Sequence, residues 1–410
     1  MARDRDTLIV RDLAARYMVI CHTDDQLERR DVWRTHNSLI RTRTPLYVRG
    51  IPWNEVPELQ DLKCEDPFLR QYEEWFRQML YQEQVGDDYV FEPWVTVAAT
   101  YVTPPQGVWG LPVRTIASPD SRGAWKCDPP IKRLEDAERM VSPHHVIDEE
   151  ATARNVERVQ EAMGGIIPVA VDRAPVYRVW NGDISTQLAY LRGLDQVMWD
   201  MVDHPRWLHG VLAYMRDGIL TTHEEAEAAG DWRLCAHENQ AMPYAEELPD
   251  PSPDPTPVPR KQLWCFVAAQ ELTLVSPRMH DEFMLQYQLP IMEQFGLVAY
   301  GCCEDLTEKI DILRQIPKLR RIAVAPRADV RRCAEQIGSD YVFSWRPNPA
   351  EMVCCDFDRD RIKRVVRDAI DATKGCHIDI TLKDIHTVQG EPQRLREWVR
   401  IVRHIADRYR

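Results

Sequence analysis

No run in the 410 residues approaches the roughly 18 consecutive apolar residues that a membrane span needs. The N-terminal stretch MARDRDTLIVRDLAARYMVI mixes acids with bases and lacks the apolar core and small-residue cleavage site of a signal peptide. The 11 cysteines are scattered without a CxxC or zinc-finger spacing, which excludes a disulfide framework and points to a reducing, cytoplasmic setting. GxGxxG and GxxxxGK[ST] are missing too, and with them the usual glycine cradles for dinucleotides and nucleoside triphosphates. No internal repeat stands out. Positive charge is also in short supply: a formal net charge of −13 is the wrong sign for a phosphate-binding surface, so nucleic acid is not an expected partner.

Hydrophobic residues make up 44% of the chain, enough for one large α/β domain or two ordinary ones. Residues 1–90 read as a charged, helical N-terminal extension. From residue 91 onward, β-like runs alternate with amphipathic segments: 94–102, 165–171, 232–240, 263–271, 297–305, 320–328, 340–349 and 376–380. The stretch 185–230 carries at least two helices, broken at His204-Pro205. PDPSPDPTPVP (249–259) cannot be regular structure and is expected to be an exposed loop. Eight strand–helix units fit a (β/α)8 TIM barrel spanning residues 91–410, in which polar residues at the C-terminal strand ends share one mouth.

Those strand ends supply the candidate residues: His237-Glu238-Asn239, Gln270-Glu271, Tyr300 to Glu304, Ser344-Arg346-Asn348 and Cys376-His377-Asp379. Cys302 and Cys376 with one carboxylate or imidazole suit a zinc ion that keeps an open position. The plain alternative is that Cys302-Cys303 is core, since free cysteine is often buried. Successive strand residues face opposite ways, so at most one of the pair faces the mouth. Cys235, Cys265 and Cys354-Cys355 read as packing or loop residues. Glu271 follows an apolar run, where a carboxylate is costly unless paired or metal-bound.

Three segments, in order, resemble the uroporphyrinogen decarboxylase superfamily. They are GLDQVMWDMVDHPRWLHGVLAYM (193–215), SPRMHDEFMLQYQLPIMEQFG (276–296) and GCHIDITLKDIHTVQGEPQRLREWVRIVR (375–403). The resemblance implies a (β/α)8 barrel. The run TRTPLYVRGIPW (42–53) differs from the R-Q-A-G-R stretch with which true uroporphyrinogen decarboxylases hold substrate carboxylates. LVAYGCCEDL (297–306) is similar to the H-x-C strand end of the cobalamin-dependent methyltransferase branch, with Tyr300 at the histidine position and Cys302 at the cysteine. Cys376 then stands as the second thiolate before the last helix.

What this resemblance implies is a zinc-dependent methyltransferase acting between a small methylated substrate, methoxy-aromatic for example, or a thiol, and a corrinoid. The cobalamin is either free or carried on a corrinoid protein. Cys302, Cys376 and Glu271 are the expected zinc ligands, because tyrosine, with its reference pKa near 10, is a poor one; His237 and His377 are held in reserve. His237, Glu238, Asn239 and Tyr300 are the expected catalytic group, and Gln270, Arg346, Arg173 and His377 the substrate-binding group. The aromatic-rich VYRVWNGD (176–183) offers rings for an aryl substrate. Two alternatives stay open. One is a metal-free decarboxylase-like lyase anchoring a carboxylated aromatic or pyrrolic substrate through Arg173, Arg178 and Arg346. The other is a non-catalytic corrinoid- or metabolite-binding barrel. The acidic surface and lead-in helices leave room for a homodimer without selecting one.

Overall fold

The computed structural model describes residues 2–119 and 125–408. Two helices, Ala2–Cys21 and Asp24–Asn37, lead in, and the first strand β1 (Leu46–Val48) follows directly. The remaining strands are β2 (Val95–Ala98), β3 (Arg114–Ile116), β4 (Lys126–Asp128), β5 (Val169–Asp172), β6 (Trp264–Val267), β7 (Leu297–Tyr300), β8 (Leu319–Val324), β9 (Val342–Trp345) and β10 (His377–Leu382). Six of them form one parallel sheet in the order β1-β10-β9-β8-β7-β6. β2 and β5 form a separate parallel pair, and β3 and β4 an antiparallel hairpin. The architecture is mixed α/β, with the six-stranded sheet making the larger part of a curved parallel wall.

The sheet's first strand lies inside the 1–90 stretch expected to be a helical extension, and it pairs with the last strand, Leu46 against Ile380. The outer edge of β1 is closed by side chains rather than by a strand. Asp88 accepts from Leu46 N and Asp87 from Val48 N, each at 2.7 Å. Unpaired edge donors invite foreign strands, and these two carboxylates remove the invitation. Burial raises Asp87 to about 7.

The 232–240 stretch, expected as a strand, instead forms a short 3-10 turn over Leu234–Ala236. It runs between the left-handed helix cap Gly230 and Gln240, whose φ is +63°, and neither end continues an extended chain. Its side chains, not its backbone, meet β5: Arg233 Nη1 and Cys235 Sγ both reach the Val171 carbonyl. Residues 249–259 carry no regular element, as their prolines require.

Alternation along the strands sorts two faces. Val298, Tyr300, Ile322, Val324, Phe343, Trp345, Ile380 and Leu382 join a large cluster with residues of the outer helices, among them Ile362, Val366, Leu395 and Trp398. The opposite face of β6 and β7 buries Trp264, Phe266, Leu297 and Ala299 together with Cys302. Deeper in the sheet this inner face is polar. Arg321, Ser344 and Asp379 are all buried, and Arg321 donates to Asp379 at 2.8 Å and to Ser344 at 3.1 Å. His36 and Asn37, from the end of the second helix, complete that network. Among the described residues, no helix is long and apolar enough to cross a membrane.

Candidate active site

The C-terminal ends of β7, β9 and β10 place Cys302, Arg346 and Lys383 together. Cys302 owes its direction to Gly301. In a regular strand it would share the outer face with Tyr300, two residues earlier. Gly301 takes φ +95°, a conformation that a side chain would strain, and its missing Cβ would meet Leu306 and Ala323 at 2.7 and 3.2 Å. The chain therefore turns there, sending Cys302 inward while Tyr300 stays among the helices. Glu304 fixes the turn, accepting from Cys302 N at 2.7 Å and from Ala269 N, just past β6, at 2.9 Å.

Cys302 is 3% exposed, yet it is surrounded by charge. Lys383 Nζ lies 3.3 Å from Cys302 Sγ and 3.2 Å from Cys303 Sγ. Arg346 donates to the Cys302 carbonyl oxygen and, at 2.9 Å, to Gln240 Oε1, and Gln240 Nε2 approaches Cys302 Sγ at 3.7 Å. The two sulfurs are 3.6 Å apart. The hydrogen bond from Cys303, with Arg346 and Lys383 beside it, outweighs burial and pulls the Cys302 thiol down to about 5. Cys303 moves the opposite way, raised chiefly by that same bond. Of the two, Cys302 is the one whose charged form its surroundings favour. Cys303 and the neighbouring Asp384 are exposed, so the cluster opens to solvent on their side. A buried thiolate beside two cations is a nucleophile held ready at neutral pH.

The other expected residues are placed differently. Cys376 and His377 lie at the opposite end of the sheet. The helix Arg359–Ala372 ends at Thr373, Gly375 turns the chain at φ +95°, and Cys376 is the residue entering β10 rather than leaving it. Its sulfur is turned to the Ala334 carbonyl, 3.7 Å away. The strand continues to Leu382, so the residues at its C-terminal end are Lys383 and Asp384. Asp379 belongs to the internal Arg321 network. Glu271 does follow β6, but it accepts from Ser185 Oγ at 2.6 Å and Thr186 Oγ1 at 3.0 Å, at the start of the helix Ile184–Arg192. The Gln270 side chain donates to the neighbouring Glu271 at 3.3 Å.

Tyr300 is buried on the outer face, donating to Gln288 at 3.0 Å and standing 2.8 Å from His280 Nε2. It therefore does not line the mouth. His237 accepts from the backbone N–H of Trp264, at the N-terminal end of β6, and burial pulls it down to about 4. Asn239 shapes the turn, accepting from Ala241 N and donating to the Met242 carbonyl. Glu238 accepts from Gln240 N at 3.3 Å. Arg173 is occupied by Glu149 and Asp231, and Arg178 by Asp172. Of the three proposed carboxylate anchors, Arg346 is the one against Cys302. Its Nε is buried and without a hydrogen-bond partner.

The expected zinc ligands do not fit a common ion. Cys302 and Cys376 are at opposite ends of parallel strands, Glu271 is committed to two hydroxyls, and an ammonium abuts the one thiolate at the mouth. Among the described residues, no group of three or more His, Cys, Asp or Glu side chains could hold a metal. Lys383 and Gln240 are the residues that reading the sequence missed. The signal for Lys383 was present in CHIDITLKD, had the strand been carried two residues further.

No family model matches the chain, and no curated protein matches it. Among solved structures, a methyltransferase from Methanosarcina mazei superposes with a TM-score of 0.52 at 11% identity, covering 91% of this chain and 98% of that one. The likeness is one of fold.

Proposed function

We propose that the chain is a methyltransferase with a uroporphyrinogen decarboxylase-like (β/α)8 barrel, and that Cys302 is its sulfur nucleophile. The two parallel pieces are read as one barrel. At the open edge of β5 the side chains of Arg233 and Cys235 meet the Val171 carbonyl, and at the open edge of β1 Asp87 and Asp88 take the strand's N–H groups. The observation that carries the reading is the buried Cys302 sulfur beside Lys383 and Arg346 at the C-terminal mouth, the end where barrels of this kind do their chemistry. The likeness in fold to a methyltransferase supports it.

In the forward half, a lone pair on Cys302 Sγ forms a bond to the methyl carbon. The bond from that carbon to the donor breaks, and its electron pair leaves with the donor atom. In the return half, a second nucleophile takes the methyl group and the S–C pair returns to sulfur. Lys383 and Arg346 stabilise the sulfur as its charge reappears. A small methylated compound or thiol and a corrinoid co-substrate are the proposed partners in the two halves. Glu304 holds the Cys302 backbone, and Gln240 aligns Arg346 against it.

The test is incubation with methylcobalamin and with methylated aromatic and amine donors, followed by peptide mass analysis and cobalamin absorbance. A methyl mass on Cys302, and transfer lost in Cys302→Ser, are expected. Undiminished transfer in Cys302→Ser overturns the reading. Release of carbon dioxide from an aryl or pyrrolic carboxylate, without methyl transfer, replaces it with the lyase alternative, for which Arg346 and Lys383 would be the anchors. Binding without conversion of any donor replaces it with the non-catalytic one.

A further inference from the structure

We propose that Lys383 stands in for a metal ion: its ammonium is the built-in counter-ion that holds Cys302 as a thiolate, and the mouth works without zinc. The argument begins from position. Lys383 is the residue immediately after β10, at the end of the sheet where Cys302 lies, whereas Cys376 enters the same strand at its other end. The positive charge beside Cys302 is therefore covalently part of the chain.

The coordination of the ammonium supports this. A lysine nitrogen carries three N–H donors and no acceptor. Three partners surround Lys383 Nζ: Cys302 Sγ at 3.3 Å, Cys303 Sγ at 3.2 Å and Asp384 Oδ2 at 2.9 Å. Lys383 is 7% exposed, and an ammonium is rarely buried to that degree unless it is paired. Of its partners, Cys302 is the buried one, whereas Asp384 is exposed and screened by water. Arg346, anchored on Gln240 and on the Cys302 carbonyl, adds a second fixed positive charge. A divalent cation entering this cluster would displace an ammonium and face a guanidinium. It would find the two neighbouring sulfurs and the exposed Asp384 carboxylate, all three already facing the ammonium, with Glu304 holding two backbone N–H groups.

The plain alternative is that Lys383 pairs with Asp384 alone and meets the sulfurs by proximity. The two differ in what Lys383 does to Cys302, which can be read without any methyl donor. The inference places a role on the same thiolate and, where that thiolate reacts, rests on the methyl-transfer reading. Zinc content and alkylation are independent of that reading, so the two can fail separately.

The full chain, its Lys383→Met, Lys383→Arg and Lys383→Cys variants and Cys302→Ser are each equilibrated with zinc and dialysed. Metal content is then measured, and the rate of iodoacetamide addition to Cys302 is followed by peptide mass at neutral pH. The wild type is expected to retain no stoichiometric zinc and to react as a thiolate. Lys383→Met should slow the reaction by about tenfold or more at neutral pH, the effect of returning a depressed thiol to near its unperturbed pKa of about 8.5. Lys383→Arg keeps the charge and should retain most of the rate, which separates loss of charge from loss of folding. Lys383→Cys places a third sulfur on the cluster and should gain stoichiometric zinc, with Cys302 protected from alkylation. Zinc bound one-to-one by the wild type and lost in Cys302→Ser would overturn the proposal. So would a Lys383→Met rate equal to wild type, or a Lys383→Cys protein that takes up no zinc.

Discussion

Lys383 Nζ and Cys302 Sγ, 81 residues apart in sequence, meet at 3.3 Å at the C-terminal ends of β10 and β7. Neither side chain is exposed, and each lowers the cost of burying the other's charge. Around this pair stand Arg346, Cys303 and Asp384, and the reactivity of the cluster is accessible to direct measurement.

Because the Cys302 thiol is pulled down to about 5, its alkylation should change little from neutral pH to about pH 6 and reach half its plateau near pH 5. An unperturbed cysteine titrates at about 8.5. The profile is to be taken on the Cys302 peptide, since the exposed Cys303 and Cys355 will also react. A midpoint above 8 for Cys302 would mean that it is an ordinary thiol.

Cys376 offers the complementary control. It lies at the other end of the sheet, so Cys376→Ala should leave both the rate and the pH profile of Cys302 alkylation unchanged. A changed Cys302 profile in a variant with wild-type circular dichroism would place Cys376 at the mouth after all.

The Arg321–Asp379 pair governs stability rather than chemistry. Asp379 is fully buried, and removing its cation strands a carboxylate in the interior. Arg321→Met should cost about 3–5 kcal/mol. The double variant Arg321→Met, Asp379→Leu should recover part of that, because no uncompensated charge remains. Urea unfolding of the two variants decides, and a double variant no more stable than the single one would point to another role for the network.

The same carboxylate predicts an acid transition. Burial alone would raise Asp379, but Arg321, His36 and Ser344 hold it down at about 2. An unfolded aspartate titrates at about 3.9. The folded pKa is the lower one, so the stabilisation is present above about pH 4 and is lost as the pH falls toward 2. The difference amounts to about 2–3 kcal/mol. Unfolding free energy measured from pH 5 to pH 2 should fall more steeply in the wild type than in Asp379→Asn. Parallel slopes would assign the acid sensitivity to other carboxylates.

The parallel strands other than β1 were legible because each is a short apolar run set between helices, a pattern that burial on both faces imposes. The mouth was only partly legible. Cys302 and Arg346 follow immediately where their apolar runs stop. Tyr300 was misjudged because alternation carries across a strand only until a glycine breaks it, and Gly301 does. Cys376 was assigned to the wrong end because CHIDI contains polar residues at its start, and an internal ion network made Asp379 resemble a strand terminus. The 232–240 run looked apolar enough for a strand, but its contacts with β5 run through side chains, which periodicity cannot distinguish from a ladder.

Composition and pattern alone settled that this chain is rich in parallel strands and helices, has no long apolar span, and has a cysteine pair where β7 ends. They could not settle which cysteine is charged or what neutralises it. That depended on β7, β9 and β10 lying side by side in register, since the cations that depress Cys302 are 44 and 81 residues away along the chain. Coulomb interactions act through space and fade within several ångströms when exposed to solvent. Only the folded sheet brings the sulfur, the ammonium and the guanidinium within that range.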